Sequence, residues 1–241
     1  MSASPFGEIR NAAGERLDHA VSGSVDDGRL VVIAHGVTAN KDRAWATTLA
    51  AALAAAGIGA LRFSFSGNGD SEGDFRASTV SKEVEDLGAV LDAVGAAKRP
   101  IVVVGHSMAG AVGVLRAASD DRIDRLVSLA GMVDTADFAR RKFGELTPGE
   151  DLMWDKPECP LSQTFMDDMA AIGTVLEQGA EVKVPWLLIH GTADTVVPVE
   201  ESRAIAARAP NATLIEMPGA DHLFSGADEA AMAAHVVGWL S

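Results

Sequence analysis

The chain has 241 residues, 48% of them apolar, a single cysteine and a formal net charge of −14 from 34 acidic and 20 basic side chains. That length suits one large α/β domain with a substantial core, and the acidic balance excludes nucleic acid and anionic membrane as partners, since both call for a basic surface. Cys159 alone can form neither an internal disulfide nor a multi-cysteine metal site.

In chain order, no apolar run follows a basic start in the first twenty-odd residues, and no stretch approaches the roughly 18 apolar residues of a membrane span. The expectation is a cytoplasmic protein. Residues 16–23, "RLDHAVSG", alternate weakly and predict an antiparallel entry strand. Residues 29–36, "RLVVIAHG", form a continuous apolar run, as in a strand covered on both faces. Asn40 is placed to cap the helix of residues 41–57, which Gly57 ends. "IGALRFSFSGNG" (58–69) reads as a strand and a turn. Residues 80–97 carry Val80, Val84, Leu87, Val90, Leu91 and Val94 on one helical face.

Further strands follow at 101–104, 123–131, 184–191 and 212–219, with helices after the first of these, from about Glu200 to Ala209, and across 226–240. Alternation of this kind predicts a mostly parallel sheet, taken as eight-stranded, with helices on both faces. The pattern breaks at about 132–180, an irregular stretch with prolines at 148, 157 and 160 that reads as an insertion into one domain.

The chemistry starts from "RPIVVVGHSMAGAVGVLRAA" (99–118), where Ser107 lies between a buried strand and a helix with Gly105, Ala109 and Gly110 beside it. Ligands of parallel sheets gather beyond the carboxyl ends of the strands. A serine hydroxyl there needs a base within reach and donors for a developing oxyanion. The small neighbours let a strained turn pack closely, although Ala109 stands where G-x-S-x-G has its second glycine.

Six histidines compete for the base. His19 belongs to the entry strand and His235 reads as a packed or capping residue of the last helix. His106 is held by the serine's own turn, and His35 and His190 end strands. His222, in "PGADHLFSG", follows the last strand on a glycine-flanked loop and is the best candidate. Asp194, three residues beyond Gly191 and past a strand end, is the carboxylate to orient it. Asp221 is the weaker choice because neighbours in sequence seldom face each other. The order Ser107, Asp194, His222 is that of nucleophile-elbow hydrolases.

Together with "HGVTANKD" (35–42), "RFSFSGNGDSEG" (62–73), "GHSMAG" (105–110), "HGTADTVVP" (190–198) and "GADHLF" (219–224), that order makes the chain resemble the α/β-hydrolase superfamily over essentially its whole length. It looks most similar to small bacterial serine esterases of the cinnamoyl/feruloyl-esterase and monoacylglycerol-lipase-like type. The resemblance implies an oxyanion hole from the backbone N–H groups of Val37 and Met108, each donor typically contributing ~3–4 kcal/mol in the transition state. It implies that Asp70 ties down the turn beside the site, where Glu72 in the third glycine position argues against a dinucleotide loop. It also makes 132–180 a cap, with Phe143, Trp154 and Phe165 as substrate-binding candidates beside Phe138, Met153, Met166 and Met169. The basic run 139–144 reads either as an attractor for a carboxylate-bearing substrate or as a solvated helix face.

The resulting expectation is a serine esterase acting on small carboxylic esters through an acyl-enzyme, with no cofactor and no metal. Its partner is a small-molecule ester, with a homodimer left open. The same triad serves amidases and peptidases, thioesterases and carbon–carbon bond hydrolases, and a non-catalytic receptor on the same fold is the alternative of a different class.

Overall fold

In the computed structural model, which describes residues 4–26, 28–95 and 99–241, the apolar runs become strands and the periodic stretches become helices. The first half of the chain forms β1 (Ile9–Arg10), β2 (Arg16–Leu17), β3 (His19–Ser22), β4 (Leu30–Ala34), α1 (Ala44–Ala55), β5 (Gly59–Phe63) and α2 (Val80–Gly95). The centre follows with β6 (Ile101–His106), α3 (Met108–Ala117), β7 (Ile123–Leu129), α4 (Thr135–Phe143), α5 (Gln163–Ile172) and α6 (Leu176–Glu181). The chain closes with β8 (Trp186–Gly191), α7 (Val199–Ala206), β9 (Ala212–Met217) and α8 (Ala227–Leu240).

Seven strands make one sheet in the order β3-β5-β4-β6-β7-β8-β9, parallel except for β3, which runs antiparallel to β5. The expected count of eight is corrected to seven. The entry stretch 16–23 is interrupted at Asp18, whose amide is taken by Ser71 Oγ at 2.8 Å. The part before the break, β2, pairs with β1 in a separate two-stranded ribbon.

Alternation along the strands builds two cores. Val31, Ile33, Val102, Val104, Val127 and Leu187 face α1 and α8, against Trp45, Leu49, Leu53, Met232 and Val236. Their neighbours Leu30, Val32, Ile101, Val103, Leu126 and Leu188 face α2, α3 and the 132–180 segment. Continuous apolar runs are what a sheet covered on both faces requires. Within it, the buried Trp186 indole donates to Ser128 Oγ at 3.0 Å, so its polar atom is satisfied.

Three local readings change. Asn40 does not cap α1: its Oδ1 accepts from the Asp42 amide at 2.9 Å, a local turn that delays the helix until Ala44. The stretch 132–180 is not irregular but carries α4, α5 and α6, with Asp134 and Ser162 capping the first two. Helix α2 buries the predicted apolar face through Val94; its expected last residues, 96 and 97, lie outside the described residues.

Sheet order sets the position of any site. From β4 the chain moves to β5 on one side and returns to place β6 on the other, so the winding reverses between β4 and β6. A crevice forms at such a switch point, beyond the carboxyl ends of these two strands. The turns after β4 and β6 begin at His35 and Ser107.

Candidate active site

Ser107 joins β6 directly to α3 with φ 55° and ψ −120°, backbone space that a residue with a side chain enters only under strain. The turn is locked by main-chain bonds from the Ser107 amide to Leu129 O (3.0 Å) and from the Met132 amide to Ser107 O (2.9 Å). Gly105 is required here, because a Cβ on it would lie 2.1 Å from Ala109 O. Position 109 tolerates alanine, since the tight helix approach falls one residue later, where Gly110 meets Gly131.

The turn after β4 passes against the serine. A Cβ on Gly36 would stand 2.7 Å from Ser107 Cβ and 3.2 Å from its Oγ. The following Val37 amide, like that of Met108 at the start of α3, has no main-chain acceptor among the described residues. Thr38 next to it is held at φ 56°.

Two further loops complete the crevice. Asp194, past β8, has a wholly buried side chain, and its Oδ2 accepts from His222 Nδ1 at 2.7 Å. A carboxylate only accepts, so Nδ1 carries a proton, and in the neutral ring the lone pair is on Nε2. The same Oδ2 lies 3.2 Å from His190 Nε2, and Oδ1 accepts from the amides of Val196 (2.8 Å) and Val197 (2.9 Å). Burial alone would raise this carboxyl's pKa; the His190 and His222 hydrogen bonds outweigh it and hold the group well below the usual carboxylate range. Asp221 is exposed and accepts from the Leu223 and Ser225 amides, at 3.0 and 2.9 Å, which leaves it a turn-former.

His106 has a role the sequence does not reveal. It stacks on Trp45 with ring centroids 4.7 Å apart, and its Nε2–H donates to the main-chain oxygen of His222 at 2.9 Å. Burial pushes it down to about 3, so it stays neutral while it fixes the His222 loop. His35 is likewise buried and neutral, donating to Gly36 O and accepting from the Phe65 amide. His19 bonds Leu17 O and Ser4, and His235 is exposed on α8 rather than packed or capping.

Ser107, His222, His106, Val37 and Trp154 line one cavity of about 340 Å³, within the range of small-molecule sites. Trp154 is 42% exposed and stands at its edge on a left-handed turn, with φ 49° there and 54° at Asp155. Phe143 and Phe165 do not line the cavity. They are buried behind it, with Phe143 packed edge-to-face on Trp154 (4.8 Å) and on Phe165 (5.9 Å). Phe138, Met153 and Met169 are buried in the core and Met166 packs against it.

Asp70 is also corrected. Its side chain is exposed and only its main-chain oxygen is used, accepting from Arg16 at 2.8 Å. The turn is tied instead by Asp86, which takes the amide and hydroxyl of Ser66 at 2.8 and 2.6 Å, and by Ser71 Oγ on Ser64 O at 2.7 Å. In the basic run of α4, Lys142 donates to Thr195 O at 2.9 Å and Arg141 to Val196 O at 3.4 Å, so it holds the Asp194 loop rather than facing the cavity. Cys159 is a buried thiol pushed up to about 11 by that burial. No cluster of three or more metal-binding side chains and no helix able to cross a membrane occurs among the described residues.

A parallel sheet flanked by helices, with a strained serine turn at the switch point, is the α/β-hydrolase architecture. The chain belongs to the alpha/beta hydrolase family, whose model matches residues 31–235. Curated relatives include the mitochondrial palmitoyl-protein thioesterase ABHD10 of Homo sapiens, 28% identical over 166 residues, which cover 63% of this chain and 52% of that protein. The chain thus spans about half the length of that relative; for the Mus musculus counterpart the figures are 26% over 230 residues, 89% and 73%. Among solved structures, Est1E from Butyrivibrio proteoclasticus with bound ferulic acid superposes at TM-score 0.87 and 23% identity, covering 97% of each chain. Paleococcus ferrophilus monoacylglycerol lipase gives 0.72 at 23% identity, covering 93% of this chain and 98% of the other. At such identities the likeness speaks for the fold.

Proposed function

We propose that the chain is a serine hydrolase that cleaves small carboxylic esters through an acyl-enzyme on Ser107. The observation that carries this reading is the buried Asp194 carboxylate bonded to Nδ1 of a His222 that lines the same cavity as Ser107. Nε2 of His222 takes the Ser107 proton as Oγ attacks the ester carbonyl, and the new C–O bond puts a negative charge on the carbonyl oxygen. The Val37 and Met108 amides receive that charge, supported by the absence of main-chain acceptors for them. Collapse of the intermediate expels the alcohol oxygen, which takes the proton from His222. Water, deprotonated by the same imidazole, then attacks the acyl-enzyme and restores Ser107.

In this reading residues 132–180 form a cap, with Trp154 as its wall over the substrate and Phe143 and Phe165 as the support behind that wall. A second reading, thioester cleavage, is favoured by the thioesterase activity that names the curated relatives. Both share the acyl-enzyme and differ in the leaving atom. Parallel kinetics on p-nitrophenyl esters from acetate to laurate, an aryl amide and an acyl thioester separate them. Ester turnover that disappears in Ser107→Ala supports the first reading. Turnover confined to the thioester selects the second, and no turnover of any member contradicts both.

A further inference from the structure

The cavity's charge does not match that of the protein around it. In a chain of net charge −14, two cations, Arg43 and Lys156, line the crevice that holds Ser107. They come from opposite sides, Arg43 from the residue preceding α1 and Lys156 from the 132–180 segment. They converge on one atom, the main-chain oxygen of Thr38: Arg43 Nη2 at 3.4 Å and Lys156 Nζ at 3.0 Å, with Lys156 also 3.2 Å from Thr38 Oγ1.

Neither cation has a carboxylate partner among the described residues. Asp42, adjacent to Arg43, gives its oxygens to Lys41 and Arg62. Asp221, the carboxylate on the cavity wall, accepts the Leu223 and Ser225 amides through Oδ1 and forms no ion pair with either cation. A guanidinium has five N–H donors and an ammonium three, so one carbonyl and one hydroxyl leave most of them unfilled. Arg43 is moreover the N-cap residue of α1, which has no acidic residue in its first turn and no side-chain cap. A cation at the positive end of a helix is unfavourable by itself, and an anion there is favourable. Three positive features thus meet in one half-enclosed space whose wall carries a single carboxylate, Asp221.

We propose that Arg43 and Lys156 form an anion subsite, and that the preferred substrates are esters carrying a carboxylate in the same molecule. The two head groups share one carbonyl oxygen, so the two oxygens of a single carboxylate can bridge them. Such charge-assisted bonds are the stronger kind. The inference rests on the ester-hydrolase reading above and adds a substrate class to it.

The test compares matched charged and neutral esters within one enzyme. On the acyl side, mono-4-nitrophenyl glutarate is set against 4-nitrophenyl 5-methylhexanoate. On the alcohol side, 4-acetoxybenzoate is set against 4-acetoxybenzamide. The charged member is expected to win by about tenfold in kcat/KM in one arm, which also locates the subsite relative to the scissile bond. That ratio is expected to fall to about one in the Arg43→Gln/Lys156→Gln double variant and to persist in Lys156→Arg. As a ratio it is insensitive to any general loss from loosening Thr38. In the unmutated enzyme it is also expected to shrink between 50 and 500 mM salt, roughly as the screening length contracts. No charge preference in either arm, or a preference unchanged in the double variant, overturns the subsite. No turnover of any ester, with no phosphonate adduct on Ser107, overturns the hydrolase reading itself.

Discussion

The Asp194 carboxylate, fully buried, lies 2.7 Å from Nδ1 of His222, and the same oxygen lies 3.2 Å from His190 Nε2. One buried charge thus lies against two imidazoles, of which His190 also bonds Val197 O through Nε2 at 2.9 Å, while its other oxygen is pinned by the Val196 and Val197 amides. In Asp194→Asn the amide nitrogen faces both rings. His222 then moves its proton to Nε2, where it blocks the serine. The expected result is a fall in kcat of roughly 10³–10⁴ with the fold retained. Asp221→Asn, whose amide oxygen still accepts from the two loop amides, is expected to stay within a few-fold. Steady-state kinetics of the two variants decide between them, and a larger loss in Asp221→Asn contradicts the assignment.

Acid stability follows from the same carboxylate. Its folded pKa lies below the ordinary 3.8, so its contribution is complete above that value and is lost as pH falls toward the folded one. Denaturant unfolding between pH 5 and pH 2.5 is expected to show a shallower loss of stability in Asp194→Asn than in the parent.

Glu83 works in the opposite direction. Burial raises its pKa well above 4.5, with the neighbouring Asp86 charge adding to the effect, and one of its oxygens has no partner. The folded state holds its proton longer than the unfolded state, so stability declines as pH rises above about 4.5. Glu83→Gln removes that titration. Its Tm relative to the parent is expected to be higher at pH 8 than at pH 5, and equal differences at both pH values contradict the account.

Gly36 is limited by the serine rather than by its own backbone. A methyl at that position meets Ser107 Cβ at 2.7 Å, so one of the two turns has to move. Gly36→Ala is expected to lower kcat by two orders of magnitude or more and to slow phosphonate labelling in step, because the reacting geometry tolerates about an ångström at most. A normal labelling rate contradicts the close approach.

Trp154 is the cavity residue of the 132–180 segment with the largest apolar face. Trp154→Ala is expected to change the preference between butyrate and laurate esters by several-fold while acetate hydrolysis changes less. Phe143→Ala, made behind the wall, is expected to lower Tm as a buried aromatic truncation does, by about 3–5 kcal/mol in stability. Thermal melts and a chain-length series separate wall from support.

Much of this arrangement is legible from sequence because the sheet is buried on both faces, so apolar runs mark strands and the residues just past them mark the crevice. Ser107, Asp194 and His222 all lie just past strand ends, as simple pattern reading places them. What fails to read is long-range or local. Phe143 and Trp154 look alike as aromatic candidates, yet a left-handed turn at 154–155 alone presents the indole to the cavity. His106 looks idle because its partner, the His222 main chain, is 116 residues away. Asn40 looks like a cap until its side chain turns to the nearer Asp42 amide. The entry strand of residues 16–23 reads as continuous, yet it is divided at Asp18, whose amide bonds the Ser71 hydroxyl.

The central claim is that Ser107 becomes acylated, and intact-mass spectrometry with peptide mapping reads it directly. After treatment with a fluorophosphonate, the account predicts one adduct per chain, on Ser107, with ester turnover lost in proportion to labelling. It further predicts neither adduct nor turnover in a folded Ser107→Ala variant. An adduct on another residue, or ester turnover by Ser107→Ala at the parent rate, contradicts it.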